Sequence, residues 1–448
     1  MTFVNPYNFI HLPPRPESGP LADAPPASHA AYGDGLFSGR IPITIRTLTP
    51  LLIPDHARAT DPDRGVAKAV ATRVGLAGAP LILGSTIKGM VRHYFEAITN
   101  SRLGVVSAEH DTPLSIRNGR EVFPAAPVQF IPIDHLAAET LSQFSPAERV
   151  FGGVAQTEEA GAHRGHLSVG PVRASSQTKA HDVPVRLATL SRPRPEQYLF
   201  YLGRDGGRAP LSSGVEKSVE QGYANAGAEV RNIRGRKFYH ADSKLWNGAG
   251  SGLNGYWDPP RGADSSSAVS IGGITRRREY LAAPNSPAQV STEFKDWVPA
   301  GAEFNTSIQV SNLSSEEVGA LLYLLTLGAT APLRLGYGRP LGFGVAQISL
   351  DLAAVQLFTL AGLRSRYSSL RSQAGSLSDT ELKALMASWI RLVAGSPELS
   401  AIRTELIQLA RGVDQFPVRY PDLKWWGKNE RPERRKPLPR NSRNPALE

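Results

Sequence analysis

The sequence predicts an α+β fold interrupted by a large insertion. Three observations carry that reading. Short runs at 41–48, 304–310 and 345–350 alternate apolar and polar residues, or read as strands between turn signals. Runs of helical periodicity follow Gly84-Ser85 and Ser314. Between about 174 and 299 the periodicity weakens and Gly, Ser, Pro and Arg accumulate.

Along the chain, the first forty residues are rich in Pro, Gly and Ala, and Pro13 to Ala27 reads as an irregular or extended lead. Ile41 to Leu48 is a strand with one buried face; Pro42, which has no N–H to give, places it at a sheet edge or delays its start. A polar loop spans Pro54 to Gly78. Leu81-Ile82-Leu83 precedes a helix opened by Gly84-Ser85, with Ser85 as N-cap. Ile87, Val91, Tyr94, Phe95 and Ile98 share one face, and the helix ends near Asn100 to Gly104. Phe151-Gly152-Gly153 enters a glycine-containing loop, and Leu167 to Val172 is a strand. After the insertion, Phe304 to Val310 is a strand, Ser314 and Glu317 form a capping box, and Val318 to Leu327 is a strongly apolar helix. Leu335 to Gly344 is a glycine-rich loop before the strand Val345 to Leu350. Beyond Ala353 the chain reads as helical, best over Asp379 to Val393 and Leu399 to Arg411. Phe416 to Glu448 is a Pro/Arg-rich tail with nine Lys/Arg against four Asp/Glu.

Composition narrows the chemistry. The 448 residues include no cysteine, which excludes disulfides, thiol nucleophiles, iron–sulfur clusters and thiolate zinc sites. His163 and His166 lie three apart in a Gly-rich loop with no evident third ligand, so no metal site is assigned there. No apolar run approaches the roughly 18 residues of a membrane span, and Met1 to His11 lacks the pattern of a secretory signal; a cytoplasmic protein without membrane contact is expected. The net charge of +10, with 39 Arg against 11 Lys, favours an anionic partner, although a GC-rich coding sequence also inflates arginine.

The most distinctive stretch is Gly336-Tyr337-Gly338-Arg339-Pro340-Leu341-Gly342-Phe343-Gly344. Its glycines let backbone amides approach a ligand or adopt positive φ. Arg334 and Arg339 add charge, and Tyr337 and Phe343 offer faces for base stacking. A dinucleotide site needs strand, glycine loop, helix; here the order is helix, loop, strand. No Lys-Ser/Thr pair follows the glycines, so there is no Walker A loop.

At this loop the sequence resembles the RAMP superfamily of CRISPR-associated proteins. Pro80-Leu81-Ile82-Leu83-Gly84-Ser85-Thr86-Ile87-Lys88-Gly89-Met90-Val91-Arg92 resembles that family's P-x-I-P-G-S-S-L-K-G-x-x-R helix start, with Leu83 in place of the usual Pro. Phe151-Gly152-Gly153, followed by Gly165-His166-Leu167-Ser168-Val169, resembles its F-G and G-R-L-x-V segment, and Asn312 to Leu325 its second helix. Phe3-Val4-Asn5-Pro6-Tyr7-Asn8-Phe9 and Ile233-Arg234-Gly235-Arg236-Lys237-Phe238-Tyr239 are similar to one subfamily that resembles backbone subunits of type III effectors.

The resemblance implies a ferredoxin-like, RRM-like core in two parts, 1–173 and 301–352, around an inserted thumb-like module at 174–300. A helical region at 353–415 and a basic tail at 416–448 follow. It implies a guide-RNA-binding subunit, with guide RNA, target RNA and other CRISPR effector subunits as partners. The guide backbone would run beside Gly84, Ser85, Lys88 and Arg92, beside Arg334, Gly336, Gly338, Arg339, Gly342 and Gly344, and beside Arg234, Arg236 and Lys237 of the insertion. Some such subunits cut target RNA with an aspartate in the loop before the first helix, where Asp61 and Asp63 are the candidates, with Mg as a cofactor if cutting occurs. Two alternatives stay open: a metal-independent endoribonuclease that processes the CRISPR precursor, with His56 as general acid or base and Lys68 or Lys88 as helper, or a protein scaffold without RNA contact. Arg276-Arg277-Arg278, Arg231 and Trp246 add to the basic and aromatic character of the insertion.

Overall fold

The computed structural model describes residues 5–60, 68–75, 78–104, 116–117, 120–121, 130–157, 161–190, 202–204, 209–210, 232–247, 255–260, 268–271, 273–283, 286, 291–368, 375–413, 418 and 420. Its main strands are β1 (Tyr7–Ile10), β2 (Phe37–Thr47), β3 (Leu167–Val169), β4 (Arg173–Ala174), β5 (Arg236–Tyr239), β6 (Glu303–Leu313), β7 (Leu333–Arg334), β8 (Val345–Leu350) and β9 (Gln356–Phe358). The helices are α1 (Gly84–Ile98), α2 (Pro146–Phe151), α3 (Ser315–Thr326), α4 (Leu360–Tyr367), α5 (Asp379–Ala394) and α6 (Pro397–Arg411).

The central sheet is antiparallel, in the order β7-β8-β2-β6-β3, with β9 also on β2 and β4 also on β6. Its centre pairs β2 with β6 from Arg46↔Glu303 to Phe37↔Leu313, across the whole insertion. Alternation puts Ile41, Ile43 and Ile45 of β2 and Phe304, Ile308 and Val310 of β6 into one core with the apolar faces of α1 and α3. On α1 that face is Ile87, Val91, Tyr94, Phe95 and Ile98, all buried as their spacing requires. α5 lies on α3, where a Cβ at Gly319 would come within 2.7 Å of the Leu385 carbonyl.

Two expectations need correction. Pro42 sits inside a central strand that starts at Phe37. The register explains why this is tolerated: on one flank, Ile43 to Thr47 pair with β8 and Ser38 to Arg40 pair with β9. Pro42 falls where β2 passes from one partner to the other, so its missing N–H breaks neither ladder. Ser85 is not the N-cap of α1. Leu83 holds that position and offers no side-chain acceptor. The capping box of α3 forms as read, with Ser314 Oγ accepting from the Glu317 amide and Glu317 accepting from the Ser314 amide.

The lead is irregular but tightly held. Arg149 of α2 donates to Glu317 at 2.8 Å and to the carbonyls of Pro20 and Ala22. Arg15 pairs with Asp23 at 2.6 Å and donates to the Asn100 carbonyl. Asn312, at φ +52° in the bulge of β6, donates to the carbonyls of Ser28 and Ala31 and accepts from the Gly33 amide. Much of the hydrogen bonding of these buried polar groups comes from backbone that has no regular structure of its own.

A second core lies under the insertion. Leu52, Val70, Val185, Tyr256, Trp257, Tyr280, Phe294 and Trp297 surround Leu341 and Phe343 of the glycine loop. Lys68–Val70 and Thr292–Phe294 pair in parallel, with Val185–Arg186 on the other side. The 52–73 loop and the insertion therefore share a small sheet.

Two predictions follow from these contacts. Gly344 has φ +71°, and a Cβ there would stand 1.8 Å from the Leu335 carbonyl oxygen, whereas Gly19, at φ +88°, faces open space. Gly344→Ala should cost about 2–4 kcal/mol and Gly19→Ala about 1 kcal/mol in denaturant unfolding. His240 is buried, donates to the Asn5 carbonyl and sits near Arg334; burial foremost lowers it from 6.5 to about 4. Because its folded value lies below its unfolded one, its contribution to stability is full above pH 6.5 and falls away as the pH drops toward 4. Part of the acid destabilisation between pH 7 and 4.5, on the order of 2 kcal/mol, should be missing in His240→Gln.

Candidate nucleic-acid interface

Four segments converge on one cleft of about 650 Å³. The start of α1 supplies Leu83, Thr86, Gly89, Met90 and His93; the loop after β2 supplies Leu52 to Pro54, His56 and Arg73. The glycine loop supplies Arg334 to Tyr337 and Arg339, and β5 supplies Lys237, Phe238 and Tyr239. Leu83 and Thr86 bring the start of α1, its positive dipole end, to the cleft. The Thr86 and Ile87 amides there bond to the Leu83 carbonyl, and Gly84 and Ser85, expected beside the guide, are not among the residues that line it, Gly84 packing against the Val169 carbonyl instead.

β5 lies in the cleft wall because β1 pairs with it, Tyr7↔Tyr239 through Ile10↔Arg236. The Asn-Pro-Tyr-Asn opening and the Arg-Gly-Arg-Lys-Phe-Tyr stretch of the insertion are thus one antiparallel ribbon. Its rings hold cations: Lys237 Nζ lies 3.9 Å from the Tyr7 centroid, Arg339 5.2 Å from that of Tyr239, and Arg234 5.0 Å from that of Phe9. Such contacts keep a charge favourable while it is partly desolvated. Burial, then the neighbouring Arg339, lowers Lys237 to about 8. His93 stacks on Phe238 at 4.1 Å, and burial with Arg339 and Arg236 nearby lowers it to about 4, so its ring is neutral at pH 7.

The sequence-read residues divide into groups. Gly336, Arg339, Lys237 and His56 line the cleft. Arg334 borders it, but its guanidinium is buried and donates to the carbonyls of Pro332 and Ala410, closing the end of α6; burial lowers it to about 10. Arg236 is buried beside Glu96 at 3.6 Å and donates to the Ser101 carbonyl. For these two, internal acceptors take the place of phosphate oxygens. Lys88 and Arg92 sit on α1 well round from the cleft-facing Thr86, Gly89 and His93, and Arg92 donates to the Gly152 carbonyl at 3.0 Å. Arg276 is buried against Asp242 and Arg278 donates to the Gly255 carbonyl, so the three-arginine run is not a free basic patch. Lys68 lies in the small parallel pairing, away from the cleft lining. Asp61, Asp63, Arg231 and nearly all of the tail fall outside the described residues.

The glycine loop differs from its expected design. The amides of Tyr337, Leu341, Gly342, Phe343 and Gly344 are spent on backbone carbonyls, including those of Leu52 and Pro50. At Gly336 a Cβ would meet the Leu52 carbonyl oxygen at 2.7 Å. Gly338, Gly342 and Gly344 also have positive φ, so these glycines serve the loop's own close packing. Phe343 is fully buried against Trp257 and cannot stack on a base. Tyr337 is half-buried and faces the cleft. Sequence reading missed Tyr7, Arg73, His93 and Tyr239 as site residues. The Asn-Pro-Tyr-Asn opening was the one signal available for Tyr7, and nothing local marked Arg73 or His93.

Comparison with known proteins gives one family. No curated protein matches the chain. A solved structure titled "Type IV-B CRISPR Complex" contains a chain that is 17% identical, with a TM-score of 0.30, covering 70% of this chain and 91% of that one; this distant likeness carries no functional argument. The family model described as the RAMP superfamily matches residues 44–347, from β2 through the glycine loop into β8, and this chain belongs to the RAMP superfamily.

Proposed function

We propose that this protein is a guide-RNA-binding subunit of a type III-like CRISPR effector complex, with the cleft as the path of the guide backbone. The convergence of a helix start, two aromatic-backed cations and the glycine loop on one groove carries this reading. Lys237 and Arg339 would meet phosphates, Arg73 would do so by exchanging Asp55, its partner at 3.4 Å, and Tyr337 would meet a base or ribose. In this reading the strand order β8-β2-β6-β3, with α1 and α3 crossing one face, is a ferredoxin-like, RRM-like core, and α4 to α6 are its helical extension. Target RNA and other effector subunits are the further partners.

Binding of a repeat-derived RNA, followed by fluorescence anisotropy over a salt series, tests the cleft. Lys237→Ala with Arg339→Ala should weaken binding about 10- to 100-fold and reduce the salt slope by about two. Arg236→Gln should instead lower the melting temperature. Unchanged affinity in the double variant would favour the scaffold alternative.

Cutting of target RNA by a loop aspartate is supported by the flanks of the segment that carries Asp61 and Asp63: the Thr60 amide donates to the Ala69 carbonyl, and nearby His56 lines the cleft. In the assembled complex with Mg²⁺, Asp61→Ala or Asp63→Ala should reduce cutting by at least about 100-fold; full cutting in both would remove them as candidates. The exposed His56 also favours a second reading, metal-independent processing of the precursor. That reading predicts product loss in His56→Ala without added metal.

A further inference from the structure

Three histidines from distant segments meet beside the start of α1. His29 comes from the lead, His163 from the hairpin strand Ala162–Arg164, and His166 from the turn into β3. Their rings lie 4.1 to 5.3 Å apart between centroids, and ring nitrogens of all three lie within 4.8 Å of one another.

The hydrogen bonds fix the tautomers. Each ring meets a backbone carbonyl through Nε2: His29 that of Arg164 at 2.5 Å, His163 that of Arg149 at 2.9 Å, and His166 that of Ala27 at 2.9 Å. A carbonyl can only accept, so each Nε2 carries a proton, and in the neutral form of each ring Nδ1 is then the nitrogen that holds the lone pair. The hydroxyl of Ser311, 3.1 Å from His166 Nδ1, suits the same tautomer as a donor. An imidazole whose far N–H is held by a carbonyl while its other nitrogen is bare has the outer hydrogen bonding of a metal ligand.

We propose that His29, His163 and His166 form a binding site for a zinc-class divalent cation, through their Nδ1 atoms and with water in a fourth position. Three imidazoles without thiolate suit zinc or a neighbouring first-row ion. On tetrahedral zinc two such nitrogens stand about 3.3 Å apart. The ring nitrogens, which lie within 4.8 Å of one another, close to that spacing by movement of His29, the exposed member, and the Ser311 hydroxyl turns away from His166. Lys88 and Glu317 both act on His163, one repelling and one attracting a cation, with Glu317 the stronger of the two. The ion would clasp the lead to the hairpin and to β3.

The test uses the full chain, stripped with chelator and then titrated with Zn²⁺ by calorimetry and with Co²⁺ by visible absorption. One ion per chain is expected, with the intense bands of tetrahedral Co²⁺ and a rise of several degrees in melting temperature. His29→Gln and His163→Gln each keep an amide that can replace the Nε2 donor but lack Nδ1. Each should lose at least tenfold in affinity, and the absorption bands with it, while the metal-free melting temperature stays near that of the parent. Absence of uptake by the parent chain, or uptake that survives either substitution, would overturn the site.

Discussion

The pairing of β2 with β6 is the constraint on which the rest depends. It brings together residues on either side of a long insertion, and everything between must leave and return within that one register. A one-residue slip would turn Ile41, Ile43 and Ile45 out of the core, so the alternation itself holds the pairing. The flanks follow from it: β8 and β9 share one side of β2, β3 and β4 share the far side of β6, and α1 and α3 cover the buried face. The closure entropy of so long an excursion between β2 and β6 rises only slowly with its length, which is why the pairing tolerates it.

Charge is distributed by burial rather than by sequence. Arg236 and Lys237 are neighbours, yet alternation along β5 sends one into the interior against Glu96 and Ser101 and the other toward the rings of Tyr7 and Tyr239. An interior guanidinium is tolerable only with acceptors already in place. Arg149, Arg236, Arg276 and Arg334 each have at least one such internal acceptor, although Nε of Arg236, Arg276 and Arg334 has no hydrogen-bond partner among the described residues. Among the described residues, several arginines thus serve the fold, as the fastening of irregular segments.

Much of the fold was legible because its signals are local. The face of α1, the capping box at Ser314 and the strands after Glu303 and at Val345 each depend on residues a few positions apart. What could not be read depends on distant partners. Pro42 reads as an edge residue unless the handover between β8 and β9 is known. Phe343 reads as a stacking ring until Trp257 and Tyr280 cover it. Of the site, the glycine loop, Lys237 and Arg339 were visible as types in a pattern, whereas His93 and Arg73 enter only through the geometry of the cleft. His29 could not be joined to His163 and His166 from spacing, because the lead reaches them by its own path around the core.

Phe343 has a further consequence, for how such a protein can diverge. The ring belongs to the glycine loop, but its neighbours Trp257, Tyr280 and Trp297 belong to the insertion. The insertion is therefore not an exchangeable cassette. A lineage that traded it for another would leave a hole beneath the groove unless the loop changed in step, so drift in the two regions is coupled, and the shape of the groove is inherited together with the insertion that supports it.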